Sequence, residues 1–413
     1  MNSTKKILVA LIILHMIISC NTNEPDDIEI TSPQININWP SLADTPWPMN
    51  HHDPQSTGRS KYPGPSLGAL DYKIPLYGIE GSLVLDNDNN IYISDQYINF
   101  KLHKFNLIGD IIWEAEIDAN SPCTPIIGKD NIIYISNGYG GSLFALSDDA
   151  KTEWKFTNDG SFNIGINIDK EGNLYFIGLS NKLFVVSPNG NLLWELYDER
   201  FLTDANGAPT FSPDGNYLYV QGTNVSVLAV NVKTRTIDWV YGSTAILSSP
   251  IVDNQGNLYI LLGYSTPGDN SLVSLNSSGR VNWVFDFDDE FLMDNIEPTI
   301  DYNGHIYFGG QKLYSLNHEG ELRWQINLEG SFIVSPLISD INNNIFIGVT
   351  GGGFPTTLPK KHYVKSYSSD GDFNWQLEIK DERLLGASPA ITNNRKIIFP
   401  TFRAWGIVVI KDI

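Results

Sequence analysis

Cysteine is almost missing from this chain. Its 413 residues include two, Cys20 and Cys123, and the first closes an N-terminal leader, so no intrachain disulfide is expected. Histidine is also scarce, seven in all with one in the leader, which leaves little material for a nucleophilic triad. No Gly-x-Ser-x-Gly, His-Glu-x-x-His, phosphate loop or full EF-hand loop is present. Basic residues are outnumbered, 27 Lys and Arg against 47 Asp and Glu, a formal charge of −20. Without a leader carrying Lys5 and Lys6 the balance becomes 25 against 47, or −22. Such a surface disfavours nucleic acid and anionic lipid, and leaves cationic groups, divalent metals and neutral glycans as partners. The apolar run 7–18 is too short for a spanning helix.

What the chain does have is a repeat. Trp113, Trp154, Trp194, Trp239, Trp283, Trp324 and Trp375 recur 40 to 51 residues apart, each after a polar turn. About 20 residues before each lies an Asp/Asn/Gly turn and an alternating strand, as in Asp88-Asn89-Asn90-Ile91-Tyr92-Ile93. Charged residues are only 18% of the chain and aromatics 12%, a folded all-β composition. A period in this range built from short strands is the signature of propeller blades. The expected fold is an eight-bladed β-propeller of four-stranded antiparallel blades.

The strand after the Asp/Asn/Gly turn occurs eight times, near Tyr92, Tyr134, Tyr175, Tyr219, Tyr259, Tyr307, Phe346 and Ile398, whereas the Trp strand follows only seven times. The missing outer strand is expected from the N-terminal side. Residues 67–74 place Tyr72 about one period before Trp113. Closing the last blade with them removes an unpaired edge.

The domain reading follows. Residues 1–20 form a signal segment, with Lys5 and Lys6 before the apolar run and Ile17-Ile18-Ser19-Cys20 resembling a bacterial lipobox. That resemblance implies cleavage before Cys20 and its lipidation. Residues 21–46, polar and acidic, read as a flexible tether. Residues 47–413 form the propeller, with 47–65 as leader and 66–75 as closing strand. The chain is expected to be a monomer, an outer-membrane lipoprotein of a Gram-negative bacterium facing the periplasm or the cell surface, touching membrane through its lipid only.

The repeated Trp strands, the Asn/Ser-x-x-Gly turns such as Pro188-Asn189-Gly190-Asn191, and the opening Trp47-Pro48-Met49-Asn50-His51-His52-Asp53 resemble the quinoprotein-like repeat family. The resemblance covers about 360 residues. It implies an eight-bladed propeller and says little of function, because the shared residues are structural. The family holds quinone-dependent dehydrogenases, which resemble one another in an adjacent Cys pair, a Ca²⁺ cage and a catalytic Asp. It also holds non-enzymatic lipoproteins, among them the propeller subunit of the outer-membrane β-barrel assembly machine. This chain has no Cys pair, so the expectation is no cofactor.

The Asp/Asn/Gly clusters suggest Ca²⁺ loops, but their recurrence in nearly every blade favours hairpin turns, and no metal site is assigned. The Trp residues read as a girdle between blades. His51-His52-Asp53 reads as a leader packed across the ring rather than a metal site. The residue at the start of each inner strand is Ser82, Thr124, Gly165, Ala208, Ser249, Glu297, Ser335 and Ser388. Only Glu297 is charged, and it is expected at the channel mouth. Links between strands one and two, and three and four, are tight. Extra length falls in the other two classes, which share one rim. The candidate binding residues there are Asp198, Glu199, Asp204, Asp288, Asp289, Glu290, Asp294, Lys360, Lys361 and His362, with Glu297 beside them.

These features point first to a lipid-anchored envelope scaffold for a protein or glycan, of the type used in outer-membrane assembly. A glycan-active or other enzyme at the channel mouth is the second reading, and a quinoprotein dehydrogenase the third.

Overall fold

A computed structural model describes residues 32–413 apart from 77–78, 80, 96–99, 118–122, 138–139, 158–161, 204–206, 244–245, 247, 264–269, 290–291, 294–295, 352–360, 381–383, 385 and 402–405. Eight antiparallel sheets follow one another along the chain, the blades of an eight-bladed β-propeller. Seven have four strands; the seventh blade adds a short fifth at Ser331–Ile333. Blade 1 is typical: Val84–Leu85, Ile91–Ser94, Lys101–Phe105 and Ile111–Glu116, from channel to perimeter. The last blade closes as expected. Gly68–Ile74 pairs antiparallel with Ile407–Asp412, from Gly68 opposite Asp412 to Ile74 opposite Ile407.

One local device recurs in every blade. The register slips by a residue just before each Trp, as between Lys104 and Phe105 opposite Trp113 and Ile111, and the same slip precedes Tyr72 in the closing strand. Such a bulge re-aims the following side chain. The buried aromatic of the second strand then meets the Trp of the fourth: Tyr92 and Trp113 are 5.7 Å apart between ring centroids, Tyr175 and Trp194 6.0 Å, Phe346 and Trp375 6.0 Å. The Trp indole also reaches the next blade. Trp154 donates to Pro188 O at 2.7 Å and Trp283 to His318 O at 2.9 Å. Gly190 and Gly320 sit under those rings at φ 78° and 84°, where an added Cβ would lie 2.7 and 2.4 Å from the indole. The Gly of each polar turn therefore serves both its own backbone and its neighbour's Trp.

The Asp/Asn/Gly turns are internally satisfied. Asp169 accepts from the Glu171 and Asn173 backbones, the Asn173 side chain at 2.8 Å and the Tyr175 hydroxyl at 3.0 Å. Asp253 repeats the set with Asn257 and Tyr259. Carboxylates filled by N–H and O–H donors hold hairpins rather than ions.

The tether reading of 21–46 is corrected from residue 32 onward; earlier residues, Cys20 included, lie outside the described ones. Ser32 N–H donates to Asn303 O at 2.7 Å, and Gln34 N–H to Tyr302 O at 2.8 Å, on the blade 6 turn. Trp39 is buried, donates to Ile168 O at 2.9 Å and packs on Phe211. Ala43 N–H reaches Ile127 O at 3.0 Å in blade 2. A polar composition concealed this docking because the segment binds mostly through its backbone and one Trp.

Candidate functional site

The propeller has two rims, and the chain treats them differently. On the tight-turn rim, residues 32–46 run from blade 6 back to blade 2, and the leader returns beneath them around the axis. Leader carbonyls accept from inner-strand N–H groups in order: Trp47 O from Leu85, Pro48 O from Ile127, Pro54 O from Phe211, Gln55 O from Val252, Thr57 O from Ile300 and Gly58 O from Ser339, at 2.7 to 3.2 Å. An inner strand otherwise offers an unpaired edge to the channel. His51 pins the loop, its ring nitrogens 2.7 Å from Ser56 O and 2.9 Å from Leu337 O. Arg59 is buried, lies over the Tyr302 ring and donates to Ile35 O at 3.0 Å, tying the outward leg to the return. The His pair thus belongs to a strap across the ring. The recurring Trp-Pro dipeptides at Trp39 and Trp47 were the available signal for it.

Where the inner strands begin, near the other rim, the small neutral residues touch across blades. Ser388 N–H donates to Ser82 Oγ at 2.8 Å, and Ser82 N–H to Thr124 Oγ1 at 3.1 Å. A Cβ on Gly165 would lie 2.4 Å from Ala208 Cα. Glu297 stands in this ring 4% exposed, neither solvated nor in an ion pair among the described residues. Burial pushes its carboxyl up to about 8, against the weaker opposing pull of its own backbone and the Ser249 hydroxyl. A group so placed is a neutral acid at pH 7.

The structure separates the rim residues into three kinds. Glu199 and Asp288 are exposed, as is Lys361, 4.0 Å from Glu378. Asp198 is held by its neighbour: Arg200 donates from Nε and Nη2 at 2.7 Å each, keeping the carboxyl below its ordinary range. Asp289 and His362 turn inward and are buried. Asp289 accepts from the backbones of Gly310, Gln311 and Lys312 at 3.1, 2.8 and 3.2 Å, clamping blade 5 to the hairpin of blade 6. Its burial raises the carboxyl, with those three bonds opposing. Asp204, Glu290, Asp294 and Lys360 lie outside the described residues. Sequence reading also passed over His103, buried between Asp95 at 2.7 Å and Glu114 at 3.0 Å; isolated in the sequence, it gave no spacing signal.

The family described as outer membrane protein assembly factor BamB matches residues 78–261 and, in a second overlapping copy, 184–357. The chain belongs to this family. It is a PQQ-like repeat propeller, and no curated protein matches it in sequence. Among solved structures, BamB from Moraxella catarrhalis is similar at a TM-score of 0.57 and 15% identity, over 84% of this chain and 98% of that one. A europium-containing methanol dehydrogenase is similar at 0.61 and 13%, over 88% and 90%. The quinohemoprotein alcohol dehydrogenase ADHIIG of Pseudomonas putida is similar at 0.63 and 12%, over 91% and 83%. At these identities the structures share the fold.

The PQQ-like fold raises the question of a quinone and its cation. The described residues do not fit them. The two cysteines are 103 positions apart in the sequence, and Cys123 is buried with the Ser136 hydroxyl donating to its sulfur at 2.8 Å. Among the described residues, no three His, Cys, Asp or Glu side chains converge to hold a metal. No helix among them is long and apolar enough to cross a membrane.

Proposed function

We propose that this BamB-family propeller is a lipid-anchored scaffold of the bacterial cell envelope, held at the outer membrane through Cys20. It presents its long-loop rim to an envelope protein in the assembly of outer-membrane proteins. The observation that carries this reading is the asymmetry of the faces. The chain's own residues 32–65 cover the tight-turn rim and pair the channel edges of six blades. Among the described residues the opposite rim, to which the sequence assigns the long links, carries the exposed charges of Glu199, Asp288 and Lys361. Loops of variable length on a rigid ring are where propellers gain specificity.

The test is crosslinking and capture from intact cells. Combined Glu199→Lys, Asp288→Lys and Lys361→Glu should remove or weaken the crosslinked partner while leaving the melting temperature unchanged, because exposed side chains carry little packing. Glu319→Lys with Asp372→Lys, on exposed turns of the other rim, should retain it. An identical partner set from both variants would move the binding surface elsewhere, most simply to the outer blade edges.

A further inference from the structure

The tight-turn rim has a second property, visible only once the blades are assembled. Ile35, Ile341, Phe373, Leu67, Ile108 and Ile111 are exposed large apolar residues, with Ile108 at 73% and Ile35 at 68%. Ile341, Phe373, Leu67, Ile108 and Ile111 belong to blades 7, 8 and 1, which the fold sets side by side, while Ile35 stands on the blade 6 side and Leu192, Val281 and Leu322 open the outer strands of blades 3, 5 and 6 in the same exposed way. Phe373 precedes Trp375, whose ring lies against Gly68 of the closing strand. Leu67 immediately precedes that strand. Gly109, in the turn bearing Ile108 and Ile111, sits on Ile74 at the strand's far end. Ile341 N–H donates to Tyr62 O of the leader at 3.4 Å, and Ile35 is tied to the leader by Arg59. The perimeter of blades 7, 8 and 1 therefore carries an apolar arc beside the strap.

Ion pairs flank the arc, and two exposed acids, Asp110 and Asp372, stand within it. Asp71 pairs with Lys396 and Lys411 at 2.9 Å each, and Asp412 with Arg395 at 2.9 Å. Lys61 pairs with Asp44. An apolar exposed arc edged by charges suits a surface that is itself apolar beneath a polar skin.

The position of the N-terminal leg says which surface. Ser32 is held on the tight-turn rim by Asn303, and 11 residues separate it from Cys20. Fully extended they reach about 40 Å. Passing from there around a blade to the far rim uses about 15 Å across four strands and about 20 Å along the outer one, so only a nearly straight, fully stretched segment would bring Cys20 to that side, at a large cost in chain entropy. We infer that the tight-turn rim rests on the lipid bilayer, with the arc seated at the headgroup–acyl boundary and the long-loop rim directed away. This rests on the Cys20 anchor proposed above and adds a protein contact to it. The strap then has two uses, pairing the inner strands of six blades and setting the chain's exit toward the membrane.

The test uses the full-length chain, purified and placed on phosphatidylethanolamine/phosphatidylcholine vesicles. Cys123 is buried and an acylated Cys20 has no free thiol, so in the acylated chain one introduced cysteine can carry an environment-sensitive fluorophore. At Ile108→Cys the emission should shift to the blue on vesicles and be quenched by nitroxide lipids. At Glu199→Cys, on the far rim, it should do neither. The mass of the N-terminal peptide reports acylation separately. An acylated chain whose Ile108→Cys probe stays in water, or whose Glu199→Cys probe enters lipid, overturns the orientation and leaves the anchor standing. Should the peptide prove unacylated, vesicle partition of that same chain decides. Ile108→Asp, Ile111→Asp and Phe373→Asp together should lower it roughly tenfold or more, with an unchanged melting curve showing an intact fold. Equal partition of parent and triple variant refutes the contact.

Discussion

Replacing Glu297 with Gln tests the centre of the ring most sharply. The carboxyl is buried, lacks a cationic partner among the described residues and titrates at about 8 against an ordinary 4.5. Between those two values the unfolded chain has released the proton and the folded chain still holds it. Stability is therefore fully retained below about pH 4.5, falls as pH rises, and levels off above about 8. The limiting slope is about 1.4 kcal/mol per pH unit, so the loss from pH 5 to pH 8 is about 3 to 4 kcal/mol for this one group. Gln keeps the size and the neutral state. The variant should exceed the parent by about 1 kcal/mol at pH 5 and by about 4 kcal/mol at pH 8, several degrees in melting temperature. Denaturant melts of both proteins at half-unit steps from pH 5 to 8 measure the difference directly. Parallel curves would refute the reasoning and place the carboxylate in water or beside an unseen cation. The same variant separates readings of function. A scaffold keeps its captured partner, whereas an acid/base catalyst loses much of its rate.

Trp39→Ala should cost about 3 kcal/mol, measured by chemical denaturation, because it removes a buried indole and its bond to Ile168 O; no change would return residues 32–46 to a free tether. Asp289→Ala should cost about 3 kcal/mol by leaving three backbone N–H groups without their acceptor, while Asp288→Ala, exposed, should cost almost nothing; equal melting points would dissolve the inter-blade clamp. Deleting the chain through Ile74 should abolish cooperative unfolding and cause aggregation, since Ile407–Asp412 loses its partner strand; a truncated chain that melts like the intact one would exclude ring closure by that strand. Cys20→Ser should release the protein from the membrane fraction of cells, and full retention would point to a protein receptor in place of a lipid.

Periodicity made the ring legible. A Trp every 40 to 51 residues, with eight Tyr-type strands to seven Trp strands, states blade number and the need for a closing strand, because each blade is a local unit that repeats its own hydrogen-bond and side-chain pattern. Tyr72 was recognisable for the same reason, standing where a Trp would stand. The turn carboxylates were legible as well, since their partners lie two to six residues away. The strap was not. Trp39, His51 and Arg59 act on blades 3, 7 and 6, more than a hundred residues distant, and no local pattern encodes such pairs. Nor could sequence separate Asp289 from Asp288, adjacent acids of which one is buried against another blade's backbone. Repeat and closure are local chemistry copied along the chain, so the sequence alone determined them. Which charges face water, which face of the ring is covered, and that Glu297 is held neutral are matters of burial, and burial exists only once all eight blades stand around one axis.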